Sequence, residues 1–208
     1  MKKLTDLANY KNKIDTKKAF RDKVREHYKS YYENSDEAHL IDHADDVCDL
    51  ALKINKDIDE KLIILASYIH DMFNRHNREK HHILAYKYVL KTDDIFLKKL
   101  SQEELSMVAY AVLEHRGSFK GEFYSPLSEI ISSADRGKPD LEFIIKRSMK
   151  FNKQNVKNVY KHIKTKYGTQ GYAKYPDLYK KIFQNELKEF KRLVDELTVE
   201  KILEIYNS

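Results

Sequence analysis

The first half of this chain has none of the residues that usually punctuate a fold. All five glycines and all three prolines lie after residue 116 of 208. An alternating strand–helix pattern needs such turn residues throughout, so an α/β architecture is excluded for that half. There is one cysteine, Cys48, which rules out an internal disulfide and any cysteine-rich zinc module and suits a reducing compartment. No apolar run approaches the ~20 residues of a membrane-spanning helix. The opening "MKKLTDLANYKNKID" is basic but has no apolar core behind it, so it does not read as a secretory signal. A cytoplasmic protein without a membrane partner is expected. Acidic residues are scarce in one region: between Glu142 and Glu186 the only acid is Asp177, against eleven lysines and arginines. Tyr160, Tyr167, Tyr172, Tyr175 and Tyr179 are interleaved with them. Such a stretch favours a polyanionic partner or substrate, although a solvated, lysine-rich helical face uses the same residues.

What the sequence does have is helical periodicity. In "SDEAHLIDHADDVCDLALKIN", His39, His43, Val47, Leu50 and Ile54 share one face. "DEKLIILASYIHD" is apolar nearly all round, which predicts a central, buried helix. "REKHHILAYKYVLK" predicts another. "SQEELSMVAYAVLEHR" opens with Ser101 and Glu104 at capping-box spacing and runs to Gly117. Pro126 suits the first turn of "PLSEIISSADR", Gly137 its end, and Pro139 the start of "PDLEFIIKRSMKF". After Tyr175-Pro176 the spacing of Phe183, Leu187, Phe190 and Val194 predicts one long amphipathic helix. The fold class is therefore all-α, with no strands. An N-terminal helical segment (1–34), a core (35–150) and a basic, Tyr-rich C-terminal helical extension (151–208) form one unit, whose oligomeric state the sequence leaves open.

Several polar residues stand where this periodicity calls for apolar ones. His43 lies on the Val47 face. His70 and Asp71 end the most apolar helix, His115 ends the next, and Asp135 ends "EIISSAD". Burying each costs several kcal/mol unless something compensates. Each alone also reads as a hydrogen-bonded core residue. Together, a divalent transition metal (Fe, Mn, Ni, Co or Zn; one or two ions) would compensate them all, because imidazole and carboxylate suit such ions.

A histidine on one helix, a His-Asp doublet on a later helix and a distal aspartate resemble the signature of the HD-domain superfamily of metal-dependent phosphohydrolases. Here the pattern is His43, His70-Asp71 and Asp135, in "HLIDHADDVCDLA", "ASYIHD" and "EIISSADR", and it covers residues 35 to 150. The resemblance implies a helical HD-domain bundle and hydrolysis of a phosphate ester in a small phosphorylated substrate, a nucleotide above all. It implies a metal ligand set of His43, His70, Asp71 and Asp135. Branches with a second ion add His115 and one of His81 or His82; the His81–Ala85 spacing favours His81. "NRHNREKHH" also reads as an exposed polar turn. Asp71 would bridge the ions and orient water, with Arg75 and Lys120 as further catalytic candidates. His39, Arg116, Lys120, Arg136 and Lys138 are candidates for binding substrate, Lys120 from a loop (117–125) that closes over it. The chain departs from well-defined branches: "MFNRHN" follows the doublet where guanosine tetraphosphate hydrolases carry Glu-Asp. The Gly-Tyr-Pro motif of cyclic dinucleotide phosphodiesterases is absent, and Asn74 stands where many members have lysine. Two further readings are an HD-type di-iron oxygenase and a catalytically degenerate HD domain that binds nucleic acid.

Overall fold

The computed structural model describes residues 2–33, 40–91, 93–152 and 155–208. Among these, every regular element is helical: α1 (Lys2–Tyr32), α2 (Ile41–Ile54), α3 (Glu60–Ile69), α4 (His81–Lys91), a 3-10 turn (Leu97–Lys99), α5 (Gln102–Glu114), α6 (Pro126–Asp135), α7 (Leu141–Phe151), α8 (Val156–Tyr167), α9 (Asp177–Ile182), α10 (Gln184–Asp195) and α11 (Val199–Asn207). No described helix is long and apolar enough to cross a membrane.

Ser101 with Glu104 and Pro126 mark helix starts as expected, whereas Pro139 lies before α7, which starts at Leu141 behind the cap Asp140. The Ser101 side chain accepts from the Glu104 backbone while Glu104 reaches back to the Ser101 N–H, a complete capping box on α5. Asp59 caps α3, Ser125 caps α6 ahead of Pro126, and Asp140 caps α7. Gly137 takes φ 64° just past α6, a left-handed conformation that ends a helix at little cost only for glycine.

Helix α3 is the axis of the molecule. Its residues from Leu62 to Ile69 are all buried, and it packs against α1, α2, α5 and α6. That is how a helix apolar all round satisfies every face. Arg21 and Arg25 of α1 bind this core through charge. Arg25 donates to both Asp45 carboxylate oxygens at 2.9 Å, and Tyr68 donates to Asp45 at 2.6 Å. A second apolar cluster starts at Leu141 and gathers α7, α8, α10 and α11, with Leu50 touching both clusters.

The expected long helix after Pro176 is two helices. Phe183 breaks it, with φ −111° and ψ 34° between α9 and α10. The bend keeps Tyr179, Phe183, Leu187 and Phe190 together in the second cluster, with the Tyr179 and Phe183 rings 4.9 Å apart. Aromatic packing outweighs the loss of helical continuity there.

Candidate metal centre

The site lies where α2, α3, α4, α5 and α6 deliver their polar residues. His43 comes from α2, His70 and Asp71 from the end of α3, His81 from the first residue of α4, His115 from just after α5, and Asp135 from the last residue of α6. Their ligand atoms form two groups: His43, His70, Asp71 and Asp135 in one, Asp71, His81 and His115 in the other. Within each group the atoms lie within 4.8 Å of one another, and Asp71 belongs to both.

The two Asp71 oxygens face different groups. Oδ2 is 3.7 Å from His43 Nε2 and 3.5 Å from His70 Nε2. Oδ1 is 3.1 Å from His81 Nε2 and 3.5 Å from His115 Nε2. Asp135 Oδ1 stands 3.1 Å from His43 Nε2 and 3.6 Å from His70 Nε2.

Three of the rings are oriented by the same local device. Nδ1 of His70 donates to the Ser67 carbonyl at 2.7 Å, that of His81 to Arg78 at 2.8 Å, and that of His115 to Val112 at 2.7 Å. Each partner is three residues upstream. A carbonyl only accepts, so each Nδ1 carries a proton and each ring turns its Nε2 to the carboxylates. This is how protein surroundings usually fix a metal-ligating histidine. Among the described residues, the buried His70 Nε2 has no hydrogen-bond partner.

The charges follow from this crowding. Burial would lower the pKa of His70, but Asp71 and Asp135 outweigh it and push it up to about 9. In the metal-free protein a proton on His70 therefore takes the place of a cation. Burial pulls His43 down to about 4, against the pull of Asp135. Burial also lowers His115, which stays neutral. Asp71 and Asp135 are held well below the usual carboxylate range, because the surrounding histidines outweigh burial. Imidazole nitrogens and carboxylate oxygens in this arrangement suit a divalent transition metal.

A cavity of about 260 Å³ opens on the cluster, with Asp71, His81, His115 and Asp135 in its lining. That is slightly below the ~300 Å³ at which small-molecule sites usually begin. Among the described residues its lining carries five cationic side chains, Arg78, Arg116, Arg136, Arg147 and Lys166. The only acids there, Asp71 and Asp135, both belong to the ligand groups. Phe143, Tyr167, Tyr172 and Tyr175 add aromatic surface.

The structure divides the residues expected from the sequence. The ligand candidates meet, and His81 rather than its neighbour His82 joins them. Arg116 and Arg136 line the cavity. Arg136, however, is committed to the backbone: it donates to the Lys174 carbonyl at 2.7 Å, to the His115 carbonyl at 3.4 Å, and to the Ser132 carbonyl and hydroxyl. It braces His115. Arg75, Lys120 and Lys138 do not line this cavity. Arg75 is exposed and bonds the Glu33 carbonyl at 2.6 Å. Lys120 is exposed on a loop that lies against α5, where Tyr124 stacks on Tyr110 at 4.1 Å and its N–H reaches Glu114 at 3.0 Å. Lys138 lines a separate groove between the two apolar clusters. His39 lies outside the described residues. Sequence reasoning missed Asn74, Arg78, Arg147 and His162 as individual lining residues. The charge excess after Glu142 pointed to the region of Arg147 and His162 but not to Asn74 or Arg78, and nothing in the spacing singled out which cations turn inward.

Comparison of the chain with protein-family models, curated proteins and solved structures found no match.

Proposed function

We propose that the chain is a metal-dependent phosphohydrolase of the HD type, acting on a phosphate ester, with a nucleotide as the substrate class. The observation that carries this reading is the convergence of the histidines on two carboxylates. His70, His81 and His115 each give Nδ1–H to a carbonyl and converge through Nε2 on shared carboxylates. Two carboxylates ringed by imidazoles call for a cation among them, and a metal ion there would replace the proton that His70 carries in the metal-free protein.

A divalent ion held there would lower the pKa of water toward neutrality and polarise a phosphoryl oxygen. The rest of the work falls to the chain. Asp71 presents one oxygen to each ligand group and fixes their separation. The carbonyls of Ser67, Arg78 and Val112 hold the imidazoles in one tautomer. Arg116 and Arg147 offset the charge of a bound phosphate. The tyrosines offer faces on which a base can stack. The cationic lining favours an anionic substrate over the small neutral one that an oxygenase reading would suit.

The test is metal analysis of untagged protein by mass spectrometry, followed by a phosphate-release screen across nucleotides. Retained transition metal and release of phosphate from a nucleotide are expected. Protein that binds no divalent ion and turns over no phosphate ester would end this reading.

A further inference from the structure

The C-terminal segment reaches the ligand cluster through a tethered turn. After α8 the chain folds back on its last helical turn: the Tyr172 N–H donates to the Thr165 carbonyl at 3.2 Å and the Ala173 N–H to Lys166 at 3.0 Å. Gly171 permits this close approach, since a Cβ there would stand 2.5 Å from the Lys166 carbonyl oxygen. Lys174 is then tied to the core on both sides. Its N–H donates to Gly117 at 3.0 Å and its carbonyl accepts from Arg136 at 2.7 Å. The tether seats Lys166 and His162, four residues apart on one face of α8, in the lining of the cavity.

Arg78 comes to the same place from the turn between α3 and α4. Burial first, then the Lys166 and Arg78 charges, hold His162 below the usual imidazole range. Both charges therefore act on one ring, although they come from elements far apart in sequence. Arg147 acts elsewhere: its charge bears on His43 and Asp46 of α2. Donors and cations that converge on one cavity wall favour an anion seated among them. Most of the basic stretch is not involved. Lys164 donates to the Val194 and Asp195 carbonyls at 3.2 and 2.8 Å, which ties α8 to the end of α10.

We propose that Arg78, His162 and Lys166 form a second anion subsite beside the ligand cluster, and that the substrate accordingly carries two phosphate groups, one at each place. The assignment of the cleaved group to the cluster rests on the phosphohydrolase reading; the subsite itself does not.

The experiment is calorimetric titration of the full chain, as purified, with adenosine 5′-monophosphate, adenosine 5′-diphosphate and adenosine 3′,5′-bisphosphate. At least one of the two-phosphate ligands should bind about tenfold tighter than the monophosphate, as one added charge-assisted contact gives. Raised salt should narrow that gap. Lys166→Gln and His162→Gln should erase the gap while leaving the monophosphate affinity in place. Arg78→Gln, at an exposed residue, repeats the test where folding is least at risk. A wild-type protein that does not distinguish the ligands, or binds none of them, overturns the subsite, as does a gap that survives all three substitutions. A gap without any phosphate release would sink only the hydrolase reading, and release without a gap only the subsite.

Discussion

His81 Nε2 and His115 Nε2 stand 3.1 Å apart, and each ring donates its Nδ1 proton to the carbonyl three residues before it. With Nδ1 engaged, each ring turns Nε2 to the other and to Asp71 Oδ1, at 3.1 and 3.5 Å. A cation seated among these three atoms would find two imidazole nitrogens and a carboxylate oxygen.

Metal binding should therefore stabilise the protein. A ligand at a hundredfold excess over its Kd adds about 2.7 kcal/mol, on the order of 5–10 °C in melting temperature for a chain of this size. Calorimetric melting before and after chelation checks this. Identical curves, with no ion taken up on titration, would count against the site.

Asp71→Asn should abolish turnover while the fold persists. The amide keeps the volume of the carboxylate, so the end of α3 stays packed. It cannot serve two ligand groups as an anion, and loss of ~4 kcal/mol or more of transition-state stabilisation amounts to about a thousandfold in rate. Specific activity and circular dichroism on one preparation decide the matter. Near-normal activity in folded Asp71→Asn would show that the His-Asp pair is structural.

Metal uptake should release a proton at neutral pH. In the metal-free protein the pKa of His70 is raised to about 9 by Asp71 and Asp135 against burial, above its ordinary value of ~6.5. The stability this proton confers is complete below ~6.5 and is lost as pH rises through about 9. A bound ion replaces the proton, so apparent metal affinity should rise by about a decade per pH unit until His70 is neutral. Titration calorimetry in buffers of different ionisation enthalpy counts the protons. No release between pH 7 and 8 would mean that His70 is already neutral in the empty site.

Arg136→Met should loosen the second ligand group. The guanidinium holds the His115 and Lys174 carbonyls; Ser132 still donates to the former, so losing the guanidinium should cost about 1–3 kcal/mol in all. Supporting contacts of this kind also set metal affinity by roughly ten- to a hundredfold. The variant should melt lower and bind metal more weakly, with Arg136→Lys intermediate. Metal titration separates this from a purely structural effect: unchanged affinity in a less stable protein would assign Arg136 to packing alone.

The helices were legible in the sequence because their causes are local. The capping box at Ser101 and Glu104, Pro126 at a first turn and Gly137 beyond a last one act over three or four residues. So does the all-apolar surface of α3, and it demands burial on every side. The ligand candidates were legible for a related reason: His43, His70, Asp71, His115 and Asp135 are too polar for the positions that periodicity gives them. Which cations turn toward them was not. Lys164 and Lys166 are two residues apart in the same basic run, yet one ties α8 to α10 and the other lines the cavity. Arg136 stood out in the sequence only as a cation beside Asp135; that it also holds the His115 carbonyl follows from how α6 packs on the end of α5. Phe183 kept the helical period while the chain bent at it. Residue type and spacing determine that a side chain is buried or charged. The partner it meets depends on the angles at which whole helices pack, and those follow from contacts between residues far apart along the chain.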